Sequence, residues 1–185
     1  MHMKNLTRGM IERLVADTRG AEIAEAAAVL PLMFMVLLGI FWFGQAFSIY
    51  GAITRAAQEG ARAGSIPYCM TCSGAGSPSS NAVTAVQNAL IASRLNPTLA
   101  QYPTPQPSLL SCGLNPVPVT CISGASSNIC VQTPIQLTSS GLGATGLCGT
   151  SVSMRYPFRF WLPFTSINNQ TIWISASARV RLENR

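Results

Sequence analysis

The dominant pattern along the chain is an uncharged run from Ala26 to Thr54, most of it Leu, Met, Phe, Val, Ile and Ala. A helix rises about 1.5 Å per residue, so roughly 20 apolar residues cross a hydrocarbon layer of about 30 Å. Residues 26–50 exceed that length, with Pro31 near the start, where a missing N–H costs least or where a kink is wanted. Trp42 and Tyr50 suit the far interface. The helical pattern continues through Ile53–Ala63, where small residues alternate with Arg55, Glu59 and Arg62. One helix from about Glu22 to Ala63 is predicted, greasy at first and amphipathic in its last turns. A cleaved secretory signal ending near Ser48 is the competing reading, but its apolar region would run only about 7–15 residues.

Beyond Gly64 the pattern breaks into short pieces. Nine prolines fall between Pro67 and Pro134, which forces loops and short edge strands. One further helix is predicted, capped by Ser79 or Ser80, with Ala82, Val83, Val86, Ala89 and Leu90 as its apolar stripe and Asn96-Pro97 as its stop. After the connector Pro103–Pro107 come candidate strands at Val117–Ile122 and Ile129–Leu137. The clearest strands are the last two. Val152, Met154, Tyr156, Phe158 and Phe160 alternate with polar residues or Pro, and Ile172, Ile174, Ala176, Ala178, Val180 and Leu182 do the same. A period of two predicts antiparallel strands with one face on a core and one in water. Trp161–Gln170 joins them, and its aromatics are expected to fold back onto the sheet. The fold class is therefore α+β.

Composition narrows the function. The chain has 185 residues, and only 10% are charged, against about 25% in an ordinary domain. The net charge of +6 is a small sum, and between Gly64 and Met154 its only contributor is Arg94. Nucleic-acid binders cluster cations with aromatic platforms, and no such cluster is visible along the sequence, so no nucleic-acid partner is expected. His2 is the only histidine and Asp17 the only aspartate, while Glu59 and Glu183 are the only carboxylates beyond Glu25. Acid–base catalysis, nucleophilic triads and His/carboxylate metal sites lack their titratable groups. No enzymatic activity and no cofactor are expected.

Cys69, Cys72, Cys112, Cys121, Cys130 and Cys148 all follow the apolar helix. Lys4, Arg8, Arg13 and Arg19 precede it, an excess that places the N-terminus in the cytoplasm and the rest outside. An even count in an oxidising compartment favours disulfides. Cys69-x-x-Cys72 is also half of a zinc pattern, but it lacks a second pair and a nearby histidine. Local closure of Cys69–Cys72, and short clips at Cys112–Cys121 or Cys121–Cys130, are all open to the spacing.

The leader runs through Arg19 and Gly20 into Ala21-Glu22-Ile23-Ala24-Glu25. Cations, then a glycine, then a glutamate five residues on, at the head of an apolar helix, form the pattern of a type IV prepilin processing site. Cutting between Gly20 and Ala21 makes Glu25 the fifth residue and lowers the net charge from +6 to +4. A carboxylate at a membrane edge is costly unless paired or hydrated, and a neighbouring subunit's freed amino group would pair it. The simpler reading is that Glu22 and Glu25 favour the positive end of the helix dipole. Gly39 and Gly44 would let other helices approach closely.

Residues 19–31, Leu38–Gly44 and Ala56–Gly64 resemble the TadE-like family, pilin-like components of tight-adherence (Tad) pilus systems; Tyr156–Phe158 and Ala178–Glu183 extend the likeness. The position after the glutamate, often aromatic in that family, is Ala26 here. The resemblance implies a pilin-like fold, a basic leader at 1–20 cut by a prepilin peptidase, a long helix at 21–63 and a periplasmic domain at 64–185. It implies a minor pilin or pseudopilin in the bacterial inner membrane or an extracellular pilus. Its partners would be other pilin-like subunits and the pilus assembly platform, and its role pilus assembly and surface adhesion. The alternative is a signal-anchored ligand-binding or adhesin module that never enters a pilus.

Overall fold

In the computed structural model the described residues are 18–66, 76–113, 115–121, 128–137, 147–159 and 171–182. The leader up to residue 17, Cys69, Cys72 and the connector 160–170 lie outside them. Helix α1 spans Thr18–Ser65 and helix α2 spans Pro78–Ala92, followed by a 3-10 turn at Pro97–Leu99. Strands follow at β1 (Leu109–Leu110), β2 (Pro118–Val119), β3 (Cys130–Gln136), β4 (Cys148–Arg159) and β5 (Thr171–Arg181). The arrangement is α+β and pilin-like: a long apolar helix, a short helix and antiparallel sheets. The chain divides into two compact units, one ending at Gln45 and one beginning at Ala46.

The larger unit is built on a three-stranded antiparallel sheet, ordered β3-β4-β5. Val131, Val152 and Ala178 sit opposite one another across it, so the even positions of β4 and β5 share one face. On that face Val152, Met154, Tyr156 and Ala176 are buried. They pack with Ile53, Ala56, Ala57 and Ala61 of α1 and with Ala82, Val83, Val86 and Leu90 of α2. The α1 residues recur at the three- and four-residue spacing of a single helical stripe. The last turns of α1 therefore belong to the domain's core. Burying side chains such as Ile53, Val86, Leu90 and Met154 contributes on the order of 1.5–3 kcal/mol each, and each alanine methyl about 0.8 kcal/mol, so the domain's stability depends on them.

The opposite face of β4 is not in water, contrary to the simple alternation. Ser151 and Ser153 are buried as deeply as their apolar neighbours. The segment from Gln101 to Cys121 runs along the β3 side as a strap. Its Gln101 exchanges two backbone hydrogen bonds with Arg155, and Ser111 bridges Ile135. The Gln132 amide, itself buried, donates to the carbonyls of Pro107 and Val119 at 3.0 and 2.6 Å. A strap this rich in proline lacks the N–H groups for a full ladder, so the strand expected at 117–122 shrinks to the two-residue β2.

Cystine bonds fix the strap at its middle and at its C-terminal end: Cys112–Cys148 ties it to β4, and Cys121–Cys130 ties it to β3. The clip considered at Cys112–Cys121 is thus replaced by a longer closure. The spacing gave no sign of it, because it depends on the strap crossing to the first residue of β4. Cys69–Cys72 lies outside the described residues.

Two helix boundaries also differ from expectation. Ser77, not Ser79 or Ser80, caps α2, with its hydroxyl accepting from the Ser80 N–H and Pro78 filling the first helical position. The helix stops at Ala92, before Asn96-Pro97, which instead starts the 3-10 turn. The stop is a Schellman closure. Arg94 adopts a left-handed φ of 59°, its N–H reaches Ile91 and the Leu95 N–H reaches Leu90. The Tyr156 hydroxyl then accepts from the Asn96 N–H, pinning this turn to the core face. Pro157 is tolerated in β4 because the strand overhangs β3 there. The Arg155 N–H points to Gln101, and two residues on no described strand remains to be donated to.

Arg94→Gly should raise stability by about 1 kcal/mol, since glycine carries no Cβ penalty at a left-handed cap; a chemical-denaturation midpoint measures it. For the disulfides, loop closures of 36 and 9 residues predict losses of about 4 and about 2.5 kcal/mol. The paired replacement Cys112→Ser/Cys148→Ser should therefore melt lower than Cys121→Ser/Cys130→Ser.

Candidate functional site: the apolar helix

The site is a helix surface rather than a cleft. Along α1 from Ile23 to Phe47 the side chains of Leu32, Met35, Ile40, Phe41 and Phe43 are each more than half exposed. No charge interrupts the run after Glu25 until Arg55. At about 25 cal/mol per Å² of apolar surface, water alone would not tolerate so many bare side chains on a folded subunit. Helix Ile23–Ser65 has the length and composition to cross a bilayer. Pro31 lies within it and leaves the Ala27 carbonyl without its helical donor, an arrangement found in membrane helices where neighbours or local adjustment satisfy the freed group.

The residues singled out in the sequence fall as follows. Gly20 and Ala21 lie within the described helix. Glu25 is exposed. A Cβ placed at Gly39 or Gly44 meets no atom within 4 Å. Among the described residues none packs against either glycine.

The glycines that do permit close packing are Gly60 and Gly64, which the sequence reading passed over. A Cβ at Gly60 would lie 2.3 Å from Val86 Cγ2 and 3.1 Å from the Ala82 carbonyl oxygen; at Gly64 it would lie 3.0 Å from Thr150 Cγ2 and 3.1 Å from Ala82 Cβ. The Thr150 hydroxyl donates to the Gly64 carbonyl at 3.1 Å, joining the helix end to β4. The signal was available in Ala56, Gly60 and Gly64, small residues four apart on one face. One run of small residues thus serves the domain's own core, while another faces outward with nothing against it.

A long exposed apolar helix whose far end is built into a small antiparallel domain defines the pilin-like class of membrane-anchored proteins. Residues 20–62 match the family model described as TadE-like protein, the family that the sequence resemblance indicated. The match is confined to α1, so the likeness at Tyr156–Phe158 and Ala178–Glu183 rests on the sequence alone. No curated protein and no solved structure matches the chain. Over those residues the chain is similar to a family of Tad pilus components, and among the described residues the one helix long and apolar enough to cross a membrane is consistent with a single-pass anchor.

The two glycine sets should respond differently. Gly60→Val should lower the domain's stability by about 2 kcal/mol through overpacking, whereas Gly39→Val should leave the thermal midpoint unchanged. Melting of both variants in detergent checks this.

Proposed function

We propose that this protein is a minor pilin or pseudopilin of a Tad-type pilus, acting in pilus assembly or initiation and through it in surface adhesion. The observation that carries this is the bare apolar surface of α1 between Ile23 and Phe47, headed by Gly20 and Glu25. In the membrane that surface meets lipid. In a filament or initiation complex it is buried against the helices of other subunits, where dispersion and close backbone approach at Gly39 and Gly44 supply the attraction. Glu25 sets the register by pairing with the amino group that cleavage at Gly20–Ala21 exposes on a neighbour.

In this reading residues 1–20 are a cytoplasmic leader removed by a prepilin peptidase, 21–63 form the helix and 64–185 face the periplasm. The four leader cations support that orientation. Packing is the mechanism, and no catalysis is assigned to the chain.

The test is N-terminal sequencing of the chain recovered from sheared filaments and from membranes. A start at Ala21, with the chain in the filament or platform fraction, is the expected result. An intact leader, with the chain in membranes alone, would favour a signal-anchored binding module. Glu25→Ala should leave membrane insertion intact and reduce piliation. Unchanged piliation would remove the pairing role.

A further inference from the structure

The register of β4 and β5 assembles a surface that the linear sequence hides. Cross-strand pairing sets Arg155 opposite Ser175, Pro157 opposite Trp173, Arg159 opposite Thr171, Ser151 opposite Arg179 and Gly149 opposite Arg181. All four arginines and the tryptophan therefore share the odd face, opposite the helices. The absence of any cation–aromatic cluster, inferred from the sequence, is overturned here. On β5 this face is open: Trp173, Ser175, Ser177, Arg179 and Arg181 are all exposed. At about 3.3 Å per residue the stripe from Thr171 to Arg181 runs roughly 33 Å. The Arg155 guanidinium lies 4.5 Å from the Trp173 ring centroid, holding one side of the indole, while the residue keeps 39% of its surface exposed.

The charge is unbalanced. Among the described residues of this unit the only carboxylate is Glu59, on the helix that packs against the other face. Edge-strand arginines discourage pairing with another sheet, which accounts for Arg179 and Arg181 but not for Arg159 or for the Arg155–Trp173 stack. A second copy meeting this face would bring arginine against arginine. The face is complementary to an anion, and a face-to-face copy of itself would not supply one.

We infer that this stripe is a docking surface for an acidic, uronate-bearing polysaccharide. Guanidinium forks match carboxylates in two-point contact. Ser175 and Ser177 offer hydroxyls between the charged ends, and the indole offers an apolar platform for the C–H face of a sugar ring. The alternatives fit less well. A nucleic-acid strand calls for several aromatic platforms, and among the described residues this face of β5 offers one indole, already occupied on one side. A lipid surface calls for apolar side chains beside the cations, and on this face of β5 Arg179 is flanked by Ser177 and Arg181. The inference stands on the sheet alone and does not require the helix to enter a filament.

The test uses the full chain in uncharged-detergent micelles against alginate, neutral dextran, a short oligothymidylate and phosphatidylglycerol vesicles. Alginate should bind in a salt-sensitive way, and dextran should not. Arg179→Ser/Arg181→Ser should weaken alginate binding about tenfold with an unchanged thermal midpoint, and Arg159→Ser should weaken it independently. Failure to bind alginate, unaltered affinity in both variants, or tighter binding of oligothymidylate or vesicles would overturn the proposal. A chain that fails here yet begins at Ala21 in filaments leaves the pilin reading standing.

Discussion

The constraint on which the rest depends is the hydration cost of one helix. α1 is continuous over 48 residues but carries two kinds of surface. From Ile53 onward one stripe is covered by the sheet and α2, while from Ile23 to Phe47 the described side chains are largely bare. Apolar area exposed on that scale has to be removed from water by something other than this chain. Lipid and neighbouring helices would both serve, and under the proposed pilin role the protein would exchange one for the other. Since hydrocarbon is as apolar as leucine, the exchange carries little hydrophobic driving force in either direction. Specificity must then come from shape and from the few polar groups at the helix's head.

The same helix explains the domain's economy of design. A small unit with much loop cannot bury a large core of its own. Here the helix's final turns supply Ile53, Ala56, Ala57 and Ala61 to that core. Gly60 and Gly64 allow α2 and β4 to come close enough to exclude water. The sheet's second face is closed only over β3 and β4, and by different means. A proline-rich strap has few apolar side chains to bury and an incomplete set of donors, so two disulfides and the Gln132 amide hold it down. One face is packed and the other is stapled.

The features legible in the sequence were those with a local period. The uncharged run and the alternation of Val152, Met154, Tyr156 and Phe158 each announce an element within a dozen residues. The α2 cap was misplaced by two or three residues because Ser77, Ser79 and Ser80 are chemically equivalent candidates, and Pro78 at the first helical position was the deciding signal. The burial of Ser151 and Ser153 runs against the local alternation. The Cys112–Cys148 closure is hidden because it depends on the strap crossing to the first residue of β4. At the candidate site the span and its acidic head were visible, but the working glycines were not. Gly39 and Gly44 stand out within an apolar run, whereas Gly60 and Gly64 look like ordinary members of an alanine-rich helix end.

Cations show the same dependence on register most sharply. Arg155 and Arg159 are separated from Arg179 and Arg181 by 20 or more residues, and along the chain each pair looks like routine solvation of a strand's outer face. Pairing Ser151 with Arg179 and Pro157 with Trp173 turns the two pairs into one surface. A slip of a single residue would have sent β5's arginines to the helix side and its Ile and Val side chains into water. The hydrophobic demand of the core face therefore fixes where the arginines gather. Burial of Met154, Tyr156 and Ala176 on one side dictates the charge pattern presented on the other, so the fold and the proposed recognition surface are set by the same alternation.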